Sequence, residues 1–225
     1  MLNKKYQSQE VAIASYDYVD VEEGAGIVAY NLAKSATSAA STYFLTRQVL
    51  YSDTVYSFNT STASTATKQL DLDFDIIFQS PKTMANATAY ADFAIGMGTE
   101  ITTGSSSIYA KVTLSKGAVT IGAVTQSRTF VRACGDFTAG QPDSTMITVP
   151  ISTGAVTHFK VGDILKVNVE IWGLHSAGSS VDYAIGHDPK DRADPRGTGG
   201  AGQTAIFMAD QSTTSTIRIP WRMDR

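Results

Sequence analysis

The sequence predicts an all-β protein, an antiparallel β-sandwich of jelly-roll-like type, and three observations carry that expectation. Apolar and polar residues alternate with period two in several segments. Turn residues fall between those segments at short intervals. No segment shows a sustained helical period. Composition is compatible with this class. The 225 residues are 43% hydrophobic, enough to bury a core within one large β-domain. Only 17% are charged, below the usual share of about a quarter. Ser and Thr fill much of that gap, Thr because it suits a pleated surface and Ser because it suits turns.

The clearest strand runs from Leu70 to Phe78. Leu70, Leu72, Phe74, Ile76 and Phe78 alternate with Asp71, Asp73, Asp75 and Ile77. An extended chain places the two sets on opposite faces, whereas a helix would scatter them around its circumference. The three aspartates therefore belong to a solvated face and do not form a catalytic carboxylate pair. A second strand covers Ile164–Trp172, with Leu165, Val167, Val169 and Ile171 opposite Lys166, Asn168 and Glu170. Gly162-Asp163 makes the tight turn that enters it. Ile108–Leu114 and Ala118–Ile121 flank Ser115-Lys116-Gly117 and read as a hairpin. Less regular candidates are Gly26–Asn31, Thr42–Tyr51, Val55–Thr60, Thr88–Ile95, Arg128–Ala133, Met146–Ile151, Val181–Gly186, Thr204–Ala209 and Ser215–Trp221.

About a dozen short strands separated by turns is the pattern of a sandwich. Residues 1–225 are expected to form a single such domain, with an N-terminal arm over about residues 1–25. Ala33–Thr42 reads as a loop or one helical turn, and Thr60–Thr67 as a polar loop. At His187–Gln203 charge, Pro and Gly replace apolar residues. This is a long loop, and long loops in compact domains are commonly functional.

The candidates for chemistry are few. The net charge is −3 and the densest basic stretch, Arg218, Arg222 and Arg225, is broken by apolar residues. Nucleic-acid binding needs a tighter cluster of cations, so none is expected. No segment reaches the roughly 18–20 apolar residues of a membrane span, and no apolar stretch follows Lys4 and Lys5 to make a secretory signal. The single cysteine, Cys134, cannot close an intrachain disulfide and reads as a small buried residue. His158, His175 and His187 lack the spacing of a metal pair and read as turn or surface residues. Asp188, Asp191 and Asp194 beside His187 form the best polar cluster. Carboxylates in a loop suit Ca²⁺, but their spacing does not match an EF-hand, and Lys190 and Arg192 dilute the charge. The favoured reading is a salt-bridged docking loop, with no metal and no cofactor. Gly24–Gly26 and Gly199–Gly202 lack the strand and helix that a phosphate-binding loop needs. No catalytic constellation emerges, and the chain is not expected to be an enzyme.

Two stretches carry a resemblance. Tyr16–Tyr30, with Tyr-Asp-Tyr-Val-Asp-Val-Glu-Glu-Gly-Ala-Gly at its start, is one. Ala184-Ile185-Gly186-His187-Asp188-Pro189, followed near the end by Ile217-Arg218-Ile219-Pro220-Trp221, is the other. They resemble structural proteins encoded near the capsid and tail genes of tailed viruses of bacteria and archaea. The resemblance covers the two ends and not the middle, and transfers no functional residue. It implies a virion subunit made in the host cytoplasm, most specifically a capsid decoration (cement) protein. Such a subunit would be bound to the major capsid protein or to neighbouring copies, as a homo-oligomer and specifically a trimer. A coat or tail-tube subunit is the neighbouring possibility. Tyr16, Tyr18, Tyr30 and Trp221 are the interface candidates, with ordinary aromatic packing equally open for the tyrosines. A different class of function remains: a carbohydrate- or receptor-binding sandwich, for which Trp172 and Trp221 are the candidate platform residues.

Overall fold

The computed structural model describes residues 14–15, 25–37, 40–48, 56–98, 104–133, 143–177, 180–186 and 215–222. Fifteen strands account for most of them, and no helix occurs among the described residues. In chain order they are β1 (Ala14–Ser15), β2 (Ala25–Thr37), β3 (Ala40–Thr46), β4 (Tyr56–Ser61), β5 (Thr67–Ile77), β6 (Lys82–Met84), β7 (Thr88–Gly98) and β8 (Ser105–Lys116). There follow β9 (Val119–Val124), β10 (Phe130–Ala133), β11 (Asp143–Ser152), β12 (Thr157–Phe159), β13 (Ile164–His175), β14 (Val181–Gly186) and β15 (Thr216–Arg222).

One layer is built on β13, which pairs antiparallel with β8 on one edge and β5 on the other. Beyond β8 lie β9 and β10. The period-two pattern sets the faces as expected. Leu165, Val167, Val169 and Ile171 are buried, as are Ile108, Ala110, Val112 and Leu114 from β8 and Leu72 and Phe74 from β5. The other layer is built on β7. One edge of β7 pairs with β11 along its whole length, and the other pairs first with β15 and then with β14. β15 continues to β2, β2 to β3, and β14 to β4. All these pairs are antiparallel. Among the described residues the one parallel contact, Phe44 with Asp75, joins β3 to β5 and links the layers.

The layers meet through one continuous core that includes Tyr30, Phe74, Phe93, Tyr183 and Trp221. Phe78, Phe159 and Trp221 meet edge to face, with ring centroids 5.1–5.7 Å apart, a geometry favoured by the ring quadrupoles. Two glycines set how closely the layers approach. A Cβ at Gly173 of β13 would lie 2.4 Å from the Tyr183 ring of β14, and one at Gly122 of β9 would lie 2.5 Å from the Ser152 carbonyl oxygen of β11. At the turn before β13, Gly162 has φ 85° and its N–H donates to the Phe78 carbonyl, so the expected Gly-Asp turn is present.

Three expectations need correction. The described residues of Ala33–Thr42 are strand, not loop or helix: β2 continues to Thr37 and β3 starts at Ala40, with Thr37 opposite Ala40. Its small residues pair along the backbone, and Leu32 and Ala33 are buried. The loop expected over Thr60–Thr67 shrinks to residues 62–66, because β4 and β5 claim its ends. His175 is no surface residue. It closes β13 and is buried, its Nδ1 sharing a 2.8 Å hydrogen bond with Ser106 Oγ. Of the expected N-terminal arm, Ala14–Ser15 pair with Val28 and Ile27 as β1. The rest of that arm, the loop at 187–203 and the strand expected at Thr204–Ala209 lie outside the described residues.

Substituting Gly173 by Ala forces a methyl into the Tyr183 ring. Overpacking of this kind costs about 1–3 kcal/mol. Gly173→Ala is expected to lower the unfolding free energy by that amount, and Gly173→Ala combined with Tyr183→Phe to recover little of it, because the clash is with ring carbons. Equilibrium unfolding of the two variants measures both.

Candidate functional site

The outer face of the β8–β13–β5 layer concentrates most of the polar chemistry among the described residues. The register stacks it in rows across three strands. Tyr109, Trp172 and Lys68 form one row, Lys111, Glu170 and Asp71 the next, Thr113, Asn168 and Asp73 a third, and Ser115, Lys166 and Asp75 a fourth. Three of the rows follow from the alternation that buries the opposite face, since every second residue must point outward. Lys68 joins the first row because the register shifts between Ile171 and Trp172, passing over the buried Gln69.

Cross-strand bonds tie these rows together. Lys68 Nζ donates to Asp71 Oδ2 at 2.6 Å and to Glu170 Oε1 at 3.2 Å. Asn168 Nδ2 donates to both Asp71 (2.7 Å) and Asp73 (2.9 Å), and Lys166 Nζ reaches Asp73 at 2.9 Å. The Lys68 ammonium, helped by the Asn168 amide, holds the Asp71 carboxyl below its ordinary range. The same contact raises Lys68, and Asp73 raises Lys166. The aspartates expected on a solvated face are there: Asp71 pairs with Lys68 of its own strand and with the Asn168 amide of β13, and Asp73 pairs with Lys166 of β13.

At one end of this ladder sits an aromatic pair. Tyr109 and Trp172 face each other in register, with ring centroids 6.2 Å apart and planes 12° from parallel. Both are half-buried. The Trp172 indole N–H donates to Glu170 Oε2 at 2.8 Å, which fixes the ring, and the Lys111 ammonium lies 3.5 Å from its centroid, a cation–π contact.

A second surface feature lies at the other end of the same layer. Ile77 of β5, Val119 of β9 and Val161 of the β12–β13 turn are 54%, 69% and 62% exposed. Ile77 is opposite Ile164, Lys116 is opposite both Leu165 and Val119, and Gly117 N–H bonds the Ile164 carbonyl. These pairings bring all three aliphatic residues to one end, near the ion pair of Lys116 with Asp163 at 2.9 Å. Val119 lies in the row of Lys116 and the buried Leu165, and Ile77 lies in the row of Ile164, on the other face.

The residues singled out in the sequence fall as follows. Tyr30 (0% exposed) and Trp221 (6%) sit in the core, covered by this chain's own side chains. Burial raises the Tyr30 hydroxyl's pKa, opposed in part by the Arg47 guanidinium. Tyr16, Tyr18, Cys134, His187, Asp188, Asp191 and Asp194 lie outside the described residues. His158 is exposed in β12, its Nδ1 bonded to Thr83 Oγ1 at 3.0 Å. Among the described residues no three His, Cys, Asp or Glu side chains gather as a metal site, and no helix is long and apolar enough to cross a membrane. Tyr109, Lys111 and Lys68 were not singled out. For Tyr109 and Lys111 the signal is the alternation itself, which shows which residues face outward but not which strands adjoin. Lys68 has no such signal, because an irregularity in register at Gln69 sets its face.

No family model and no curated protein matches the sequence. Among solved structures, a CocE/NonD family hydrolase from Staphylococcus aureus aligns over 88% of this chain and 35% of its own, at 10% identity and TM-score 0.38. An infectious bursal disease virus structure, Gt strain, aligns over 95% of this chain and 52% of its own, at 11% identity and TM-score 0.29. The VP2 subviral particle of that virus gives 88%, 47%, 14% and 0.28. The chain spans about a third to a half of the length of these structures. The likeness to a viral protein is weak, none of these three is from a tailed virus, and TM-scores this low carry no argument about function.

The Asp71 shift fixes a sign. A carboxyl held below its unfolded pKa contributes stability that is complete above about pH 4 and is lost as pH falls through the folded value. Asp71→Asn is therefore expected to flatten the acid limb of stability between about pH 5 and pH 2. At neutral pH it should cost under about 1 kcal/mol, because the pair is solvent-exposed. Thermal melts across that range check this, and an unchanged acid limb would show that the pair does not couple to folding.

Proposed function

We propose that this chain is a structural subunit of a virus particle that acts through protein–protein contacts and not through catalysis. In the specific form of this reading it is a capsid decoration or stabilising subunit, trimeric, resident in the virion, with the major capsid protein or neighbouring copies as partners. The observation that carries the contact part is the apolar end made by Ile77, Val119 and Val161. Aliphatic side chains this exposed at one end of a layer offer apolar surface for a neighbouring subunit to cover. What supports the virion part is the resemblance of Tyr16–Tyr30 and of the segments around Ala184–Pro189 and Ile217–Trp221 to virion structural proteins. The all-β architecture agrees with it. A β-rich subunit of this kind gains stability by burying surface against neighbours in a symmetric ring. A coat or tail-tube role would use the same surfaces in a different lattice.

The test is the mass of the purified chain in solution. Light scattering after gel filtration is expected to show a discrete trimer that EDTA does not dissociate. Val161→Asp and Val119→Asp should shift it toward monomer while leaving the circular dichroism spectrum unchanged. A monomer whose melting temperature depends on Ca²⁺ would overturn the assembly reading.

A further inference from the structure

We propose that the Trp172–Tyr109 face is a saccharide-binding site, a function separate from the assembly contact at the opposite end of the layer. A pyranose ring offers two chemistries at once: a face of C–H groups, and a rim of hydroxyls that both donate and accept hydrogen bonds. The site matches both. Tyr109 and Trp172 provide two rings 12° from parallel, with centroids 6.2 Å apart, on the outward side of a sheet. The core lies on the opposite side of that sheet, so neither ring is needed to fill it.

The platform is held before any ligand arrives. The indole N–H is anchored to Glu170 Oε2 at 2.8 Å, and both residues sit on β13, the strand paired on both edges. A ring fixed in this way loses little rotamer freedom on binding. Within reach along the same rows are carboxylates (Glu170, Asp71), an amide (Asn168) and ammonium groups (Lys111, Lys68), the donor and acceptor set that hydroxyls require. Cations and anions are interleaved across the face, so no single-sign field favours a strongly charged ligand. This points to a neutral glycan over a nucleic acid or an acidic peptide. Lys111, whose ammonium rests 3.5 Å from the Trp172 centroid, is on a flexible stem. A bound sugar displaces it from the ring face, and it then donates to a hydroxyl at the rim.

The chain contains two tryptophans, and Trp221 is in the core, so a ligand-induced emission change reports Trp172. The experiment titrates the full chain with neutral oligosaccharides of glucose, galactose, mannose and N-acetylglucosamine. It follows tryptophan emission and confirms any hit by calorimetry. At least one class is expected to give a saturable change. Trp172→Ala and Tyr109→Ala, with melting temperatures near that of the parent, should each weaken binding by about tenfold or more, which is about 1.4 kcal/mol. Two results would overturn the proposal: no saturable response to any of the four classes by a folded protein, or binding that survives both substitutions undiminished. Neither result bears on the oligomeric mass, so the assembly reading stands or falls separately.

Discussion

The register of β13 is the constraint on which the rest of the molecule depends. This strand is paired along both edges, with β8 and with β5. Its alternation sends Val167 and Val169 into the core and Asn168 and Glu170 outward. A slip of one residue would exchange the two sets, placing Lys166, Asn168 and Glu170 among apolar side chains. Burying those groups without their partners would cost far more than any single contact on the face returns. The core therefore enforces the register, and the register aligns the outward rows. The ladder from Lys68 to Lys166 and the aromatic pair at its end are consequences of core packing on the other side of the same three strands.

This explains why one layer could be read from the sequence and the other only in outline. β5, β8, β9 and β13 have one wet face and one dry face, so the alternation marks them. Strands β14 and the second half of β7 are buried on both faces, from Val181 to Gly186 and from Phe93 to Gly98. Such strands lose the alternation and keep only their apolar character, so their presence could be seen but not their neighbours. The three-residue strands β6 and β12 are too short to show any period. They exist because the segments around Met84 and Phe159 pair with each other and pack on Trp221. The hairpin of β2 and β3 was hidden by its composition. Ala, Ser and Thr near Thr37 carry weak local preference, and the pairing of Leu32 with Leu45 and Ala33 with Phe44 decides the conformation.

The candidate sites divide in the same way. Asp71, Asp73 and Asp75 were legible as outward-facing, but the β13 partners of the first two, Asn168 for Asp71 and Lys166 for Asp73, are remote in sequence, and only the pairing of the strands reveals them. Trp172 was visible as an aromatic in a strand, whereas the stack with Tyr109 needed the register between β8 and β13. Tyr30 and Trp221 show the reverse. An aromatic residue in a strand carries no sign of which face it occupies unless its neighbours alternate. Around Trp221 the sequence Ile219-Pro220-Trp221 does not alternate, and all three residues are buried.

Because core and outer face are two sides of one register, the direct measurement is the set of cross-strand contacts made by β13 in solution. Nuclear Overhauser effects between backbone protons are expected to pair Val169 with Val112 on one edge and with Leu72 on the other, and Trp172 with Tyr109. Contacts displaced by one residue would turn Trp172 and Asp71 toward the core. That result would contradict both the packing described for this layer and the surface that depends on it.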